Sequence, residues 1–88
     1  MGKLDGKVAA ITASTRSIGR AIAEAYLAEG AKVVISGRSE EKGAAAIEEM
    51  NAGENATFIA CDASKQSDVE SLIDETVNHF GKIDIAVL

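Results

Sequence analysis

The sequence predicts an α/β fold built on a doubly wound parallel sheet. Four short segments are mostly apolar and partly β-branched, as strands buried on both faces should be. Three longer segments with helical periodicity separate them. The order β-α-β-α-β-α-β follows, and because parallel strands need crossover connections, we expect helices on both faces of the sheet.

The strands are predicted from local composition, because each segment is short and mostly apolar. They are residues 8–12 (VAAIT), 33–36 (VVIS), 57–61 (TFIAC) and 83–88 (IDIAVL). Asp84 is the one acidic residue inside these segments, so it needs hydrogen-bond partners. We favour a structural role for it over a role at a cofactor.

The first helix is predicted over residues 17–29, with Gly30 as its stop. Its spacing places one apolar face on Ile18, Ala21, Ile22 and Ala25.

The second helix is predicted over residues 40–51, with Ser39 as its N-cap and two glutamates in its first turn. The third is predicted over residues 67–80, with Gly81 as its stop. Its apolar face comprises Val69, Leu72, Ile73, Val77 and Phe80. Spacing alone leaves two strand orders open, 3-2-1-4 and 2-1-3-4.

Composition narrows the function classes. The 88 residues, without proline, fit one compact unit, and a net charge of −5 argues against nucleic acid as the main partner. No apolar stretch approaches the ~20 residues of a membrane span, and no signal peptide is evident, so we expect a cytoplasmic protein. The single cysteine, Cys61, excludes an internal disulfide and a cysteine-based metal site, and we expect no metal.

The stretch TASTRSIG, residues 12–19, joins the first strand to the first helix. A helix that starts directly after a parallel strand presents unpaired N–H groups and a positive dipole end, where a pyrophosphate binds. Gly19 permits close packing of helix on strand, and small residues, Ala13 and Ser17, stand where further glycines would be expected. The hydroxyls of Ser14, Thr15 and Ser17 would add donors. A plain tight turn is the alternative.

Two arginines suggest how an adenosine ribose would be recognised. About 20 residues after such a turn, an acidic residue binds the 2′-hydroxyl of NAD, but this sequence has Gly37 and Arg38 there. Arg38, with Arg16 in the turn, would clamp the 2′-phosphate of NADP. The alternative is that both are solvated surface arginines.

Asp62, after the third strand, would receive the adenine amino group or cap the next helix.

These stretches together resemble the amino-terminal part of a short-chain dehydrogenase/reductase. The resemblance lies in LDGKVAAITASTRSIGRAIAEAYLAEGAKVVISGR, in CDAS and in FGKIDIAVL, and the family motif T-G-x-x-x-G-x-G aligns with residues 12–19. It implies a Rossmann fold with strand order 3-2-1-4 and cofactor binding through the turn, Arg38, Asp62 and Ala63. The turn residues are Ala13, Ser14, Thr15, Arg16, Ser17, Ile18 and Gly19. Arg16 and Arg38 match the basic residues that mark NADP preference, with NAD the less favoured cofactor.

The resemblance also implies what the 88 residues lack. The family's chemistry uses a serine and a Tyr-x-x-x-Lys pair, whereas the only tyrosine, Tyr26, is followed four residues later by Gly30. No catalytic residue is therefore assigned, and residues 1–88 are expected to be the dinucleotide-binding part of a single domain, inactive alone. The parent protein is expected to be a homo-oligomer that interconverts a small-molecule alcohol and carbonyl. The alternatives are a nucleotide-binding module and a self-association module, both without catalysis.

Overall fold

The computed structural model describes residues 2–15 and 17–88. Four parallel strands form one sheet, and three α-helices connect them. The strands are β1 (Val8–Ile11), β2 (Lys32–Gly37), β3 (Ala56–Ala60) and β4 (Ile85–Val87). The helices are α1 (Ser17–Ala28), α2 (Glu40–Met50) and α3 (Gln66–Phe80), with a single 3₁₀ turn at Gly53–Asn55. Each predicted strand and helix is present, with ends shifted by one or two residues.

The strand order is β3-β2-β1-β4, with every neighbouring pair parallel. This confirms the order 3-2-1-4. Helices α1 and α2 step the chain from β1 to β3 in one direction, and α3 then returns it to the other side of β1. The sheet therefore has a topological switch point outside the carboxyl ends of β1 and β4, the place where ligands bind in open α/β sheets.

The two faces of the sheet build two apolar cores. Ile11 and Ile35 point to one face, where they pack with Ala23 of α1 and Ala46 of α2. On the other face, Ala10, Val34 and Cys61 pack with Leu72 of α3, again fully or almost fully buried. The central strands β1 and β2 are buried on both faces as predicted, whereas β3 and β4 at the edges are only partly buried.

The predicted apolar face of α1 is wrong except at Ile22, which packs against the core. Ile18 is 77% exposed, and Ala21 and Ala25 are also exposed. The face that meets the sheet comprises Ile22, Ala23, Tyr26 and Leu27. Since α1 is apolar around most of its circumference, periodicity alone does not select a face. The choice depends on how the helix leaves the preceding turn.

The ends of α2 and α3 follow their capping residues. The Ser39 hydroxyl accepts a hydrogen bond from the Lys42 backbone N–H at 3.2 Å, which confirms Ser39 as the N-cap of α2. Gly81 has φ = 86°, a left-handed conformation, and its N–H donates to the Val77 carbonyl at 2.7 Å, which confirms it as the stop of α3. On α3, Leu72 is fully buried as predicted, but Val77 is 38% exposed and Thr76 is buried instead.

Asp84 lies just before β4 and ties that strand to β1. Its Oδ2 accepts a hydrogen bond from the Val8 N–H at 2.9 Å, and its own N–H donates to the Val8 carbonyl at 2.8 Å. The Lys82 ammonium lies 3.1 Å from the same carboxylate oxygen. The Val8 and Lys82 bonds lower the pKa of Asp84. The structural role predicted for Asp84 is confirmed, although the side chain is not in a water-free strand interior.

No helix in residues 2–15 and 17–88 has the length and apolar character needed to cross a membrane.

Candidate functional site

The turn between β1 and α1 is fixed to both neighbouring strands. The Thr12 N–H and hydroxyl both reach the Val87 carbonyl of β4, at 3.0 and 3.3 Å. Ser14 and Ser36 join the turn to β2: the Ser14 N–H donates to the Ser36 carbonyl, and the Ser36 N–H donates to the Ser14 hydroxyl, both at 2.8 Å. The backbone of the turn is thus held in place at the carboxyl edge of the sheet.

The Ser14 hydroxyl differs from its predicted use. It is fully buried and donates to the Ile11 carbonyl at 2.7 Å, while the Ser36 hydroxyl donates to the same carbonyl at 2.9 Å. Because its only proton is already engaged, the Ser14 hydroxyl is not a phosphate donor. Both donors of Ser14 are therefore used within the fold, its N–H by Ser36 and its hydroxyl by Ile11, and Ser14 fixes the shape of the turn.

Ala13 and Ser17 have backbone conformations that normally belong to glycine. Their φ angles are 50° and 61°, in the left-handed region. They occupy the two positions where the motif T-G-x-x-x-G-x-G has its first two glycines. The backbone at these two positions therefore has the conformation expected for glycine, although both residues carry a Cβ.

Gly19 lies where α1 presses on this turn. A Cβ at Gly19 would overlap the Ala13 carbonyl oxygen and lie 2.9 Å from the Ser14 Cα. Neither of these is the mobile end of a side chain, so no substituent fits without moving the turn. The close packing of α1 on the turn therefore explains why glycine is required at this position, as predicted.

A cleft of about 390 Å³ opens beside the turn, over the carboxyl ends of β2 and β3. Its lining includes five of the predicted site residues that the structure describes, so these converge on one place. They are Ala13, Thr15, Arg38, Asp62 and Ala63. Ser17 and Ile18 are exposed at the start of α1 and do not line the cleft. The prediction for Arg16 falls outside the described residues.

The charges on the cleft wall come from different elements. Arg38 follows β2 and is exposed, and Asp62 follows β3. The Asp62 Oδ1 accepts hydrogen bonds from the Ser64 hydroxyl at 2.6 Å and from the Ser64 N–H at 3.0 Å. These bonds, aided by the positive charge of Arg38, lower the pKa of Asp62. Asp62 therefore presents an ionised acceptor at neutral pH.

Asp62 is not the cap of the following helix. The N-cap of α3 is Lys65, and the carboxylate in the first turn of α3 is Asp68, whose Oδ2 accepts from the Asp62 N–H at 2.9 Å. The Asp62 side chain instead closes a short turn with Ser64. This geometry removes the capping alternative and leaves the adenine role as a prediction.

Sequence reasoning missed several residues that line the cleft. They are Gly37, Ser39, Lys42, Cys61 and Ser64. Lys42 lies in the first turn of α2, and the rule that loops and helix starts after parallel strands share one edge would have found it.

Burial and the nearby Asp68 and Asp62 raise the pKa of the Cys61 thiol, so it remains protonated and poorly nucleophilic. Among the described residues, no three His, Cys, Asp or Glu side chains are gathered as a metal site requires.

Comparison with known proteins assigns the family. The model of the short-chain dehydrogenase family matches residues 7–88.

The chain belongs to the short-chain dehydrogenase family.

Relatives within this short-chain dehydrogenase family are longer than this chain. A 3beta-hydroxysteroid dehydrogenase of Mediterraneibacter gnavus is 43% identical over 88 residues, which cover 99% of this chain and 32% of that protein. The bovine 15-hydroxyprostaglandin dehydrogenase [NAD(+)] is 40% identical over 87 residues, which cover 96% of this chain and 33% of the relative. The chain thus spans about a third of the length of these relatives.

Solved short-chain dehydrogenase structures share the fold. A short-chain dehydrogenase from Mycobacterium smegmatis superposes with a TM-score of 0.90 at 31% identity, covering 98% of this chain and 37% of that one. The 3-ketoacyl-(acyl-carrier-protein) reductase from Brucella melitensis, complexed with NADH, superposes with a TM-score of 0.85 at 36% identity. The superposition covers 96% of this chain and 34% of the reductase chain. The four-stranded sheet and its β1–α1 turn are therefore those of an oxidoreductase family.

Proposed function

We propose that the chain is the cofactor-binding part of an NADP(H)-dependent oxidoreductase that interconverts an alcohol and a carbonyl compound. The observation that supports it best is the cleft itself, which places Arg38 and Asp62 beside the fixed turn that opens α1. A volume of about 390 Å³ falls within the range of about 300–1,000 Å³ usual for small-molecule sites. The reaction class rests on membership of the family.

The residues present fit a dinucleotide. The turn keeps the glycine conformation at Ala13 and Ser17 even though each carries a side chain. It leads into the amino terminus of α1, where unpaired backbone N–H groups and the positive end of the helix dipole would suit a diphosphate. Asp62, held ionised by Ser64, would accept a hydrogen bond from the adenine amino group, and Ala63 would pack beside the base. Arg38 would contact the ribose 2′-phosphate, together with Arg16.

NADP is proposed over NAD because of the residues at the carboxyl end of β2. A cofactor with a free 2′-hydroxyl is usually held by a carboxylate at that point, and here Gly37 and Arg38 occupy it. A guanidinium cannot accept a hydrogen bond from a hydroxyl, but it binds a phosphate through two parallel N–H groups.

The bound cofactor would supply or accept a hydride. The residues of this chain would bind and orient it, and none of them is proposed to move a proton during the reaction. We place the catalytic groups and the substrate pocket in the longer protein to which residues 1–88 would contribute the dinucleotide-binding part of one domain. A small-molecule substrate, a homo-oligomeric assembly and a cytoplasmic location complete the proposal.

Reversal of the charge at Arg38 tests the cofactor assignment. In the protein that contains this chain, Arg38→Asp should weaken NADPH binding by about 100-fold, because a charge-assisted contact is replaced by repulsion. NADH binding should not weaken, since NADH has no 2′-phosphate to be repelled and the new carboxylate can accept a hydrogen bond from its ribose 2′-hydroxyl. Fluorescence titration of both cofactors measures the two affinities.

Lys3→Asp is the matched control, because it makes the same change in net charge at the opposite, amino-terminal edge of the sheet, where the Lys3 N–H bonds the Glu29 carboxylate. It should alter both affinities little and equally. Equal losses for NADPH and NADH in Arg38→Asp, or no loss, would remove the 2′-phosphate contact from the proposal.

A further inference from the structure

Within the described residues, three polar side chains are fully buried, and two of them lie beside the turn between β1 and α1. These two are Ser14, in the turn, and Ser36, near the end of β2; the third is Thr76 in α3. Burying a hydroxyl is unfavourable unless it is hydrogen-bonded. Every buried side-chain oxygen and nitrogen of the described residues has a partner. The two serines are therefore held by a complete set of hydrogen bonds.

Ser14 and Ser36 form one hydrogen-bonded unit around the carbonyl of Ile11, the last residue of β1. The Ser14 and Ser36 hydroxyls both donate to that carbonyl, at 2.7 and 2.9 Å. The two serines also bond each other twice, from the Ser14 N–H to the Ser36 carbonyl and from the Ser36 N–H to the Ser14 hydroxyl, both at 2.8 Å. The end of β1, the turn and the end of β2 are thus joined at a single buried point.

Ser14 separates two residues that line the cleft. Ala13 and Thr15 line it, whereas Ser14 is buried beneath them. Ala13 has φ = 50°, a conformation that is unfavourable for a residue with a Cβ. Because the Ala13 side chain is exposed, its own packing does not hold this conformation. The conformation depends on the neighbours of Ala13 in the chain, and Ser14 is the neighbour that is fixed to β2.

We propose that Ser14 and Ser36 are positioning residues that keep the Ala13 backbone in the left-handed conformation in which the turn binds a diphosphate. The inference rests on the proposed function, because it names the residues that prepare that site. Neither hydroxyl contacts the cofactor. If the competent turn is populated in only a fraction of the molecules, the apparent affinity falls by that fraction, so loss of the serine bonds should weaken binding.

Two probes separate the diphosphate end of the site from the 2′-phosphate end. ADP-ribose carries the diphosphate without a 2′-phosphate, and adenosine 2′-monophosphate carries the 2′-phosphate without a diphosphate. Ser14→Ala removes a donor to the Ile11 carbonyl and the acceptor of the Ser36 N–H. We expect ADP-ribose to bind about tenfold more weakly and adenosine 2′-monophosphate to bind within about twofold of the unaltered protein. Calorimetric titration of the whole protein measures both affinities.

Ser36→Ala is the milder variant. The Ile11 carbonyl keeps the Ser14 hydroxyl, and the backbone N–H at position 36 keeps its acceptor, so no buried group loses its last partner. This variant should fold even if Ser14→Ala does not. It should weaken ADP-ribose binding by about threefold and leave adenosine 2′-monophosphate unaffected, because the turn loses only part of its support.

A rescue variant and a control distinguish positioning from a general loss of stability. Glycine enters the left-handed region without strain, so adding Ala13→Gly to Ser14→Ala should restore ADP-ribose affinity to within about threefold of the unaltered protein. Thr76→Val is the matched control, because it removes a buried hydroxyl that donates to the Leu72 carbonyl at 2.7 Å within α3. It should lower the free energy of unfolding in urea and change neither affinity.

The positioning role would be overturned by equal weakening of both probes in the serine variants, by unchanged ADP-ribose binding, or by a loss that Ala13→Gly does not restore. Unchanged binding in Ser36→Ala alone would remove Ser36 from the role. The proposed function fails separately. If the unaltered protein does not bind adenosine 2′-monophosphate, the NADP assignment is disproved. If it does not bind ADP-ribose, the diphosphate site is disproved together with the role of the serines.

Discussion

At the scale of single residues, the turn between β1 and α1 is defined by backbone conformation more than by residue type. Ala13 and Ser17 keep left-handed φ angles of 50° and 61°, although such a conformation costs a residue with a Cβ roughly 1–2 kcal/mol. The cost is offset by the bonds of Thr12 to β4 and of Ser14 to β2. The turn is thus rigid because its neighbours hold it.

Ser17→Gly should therefore stabilise the protein. Glycine adopts φ = 61° without strain, but it loses more backbone entropy on folding than serine does. The relieved strain should exceed the entropy cost, so we expect the free energy of unfolding to rise by about 0.5–1 kcal/mol. Urea denaturation measures it. Ser71→Gly makes the same substitution on the exposed face of α3, where it should cost about 0.5–1 kcal/mol. If Ser17→Gly lowered the free energy of unfolding as much as Ser71→Gly does, the claim that the Ser17 backbone is strained would be contradicted.

A site residue could be predicted from the sequence when its position follows directly from a neighbouring strand end, and not when its partners are distant in the sequence. Arg38 and Asp62 follow strands directly, so the carboxyl edge of the sheet could be inferred and the cleft confirms their placement together. The buried bonds of the Ser14 hydroxyl could not be inferred, because its donor-acceptor partners lie on two strands, and Ser36 is 22 residues away. Lys42 lies within the first turn of α2, beyond the strand ends on which the predicted site was based.

At the scale of elements, β4 is attached to the rest of the sheet by hydrogen bonds at both of its ends as well as by its three-residue ladder. Asp84 exchanges two hydrogen bonds with Val8, and Thr12 closes the other end of the strand on Val87. Since only one side of β4 is paired within this sheet, these end contacts fix its register against β1.

The Asp84 contact makes part of the stability depend on pH. Its pKa is lowered in the folded protein, so the stabilisation is fully present above the unfolded value of about 4 and is lost as the pH falls through the folded pKa. Asp84→Asn should unfold more readily than the unaltered protein at pH 7, and the difference should shrink below the unfolded pKa of about 4 and disappear once the pH is below the folded pKa. Thermal unfolding between pH 7 and 2.5 measures it.

Asp74→Asn, at an exposed position of α3, is the matched control and should show little difference at any pH. A constant deficit of Asp84→Asn across the whole pH range would show that the carboxylate charge is not what holds β4.

The helices show where periodicity is and is not sufficient. α3 has polar residues on its outer face, so its inward face was predicted largely correctly, including the buried Leu72. α1 has alanine and other apolar residues on several sides, so its buried face could not be read from spacing. Gly19, pressed on the Ala13 carbonyl, fixes the rotation of α1 and brings Ala23 and Leu27 to the sheet.

At the scale of the whole molecule, four parallel strands and three helices bring five of the predicted site residues to one edge of the sheet. The α/β class and the alternation of elements follow from composition and periodicity. The strand order did not follow from spacing and came from the resemblance carried by the turn, Arg38 and Asp62, and the sheet confirms it. The order matters for function because it brings the turn after β1 and the ends of β2 and β3 around a single cleft.

A crystal structure of the whole protein with NADPH tests this account most directly. We predict the diphosphate against the backbone of residues 13–19, the adenine beside Asp62, and the 2′-phosphate within hydrogen-bond distance of the Arg38 guanidinium. A cofactor whose diphosphate lies away from this turn, or whose 2′-phosphate points into solvent without contact to Arg38, would contradict the account.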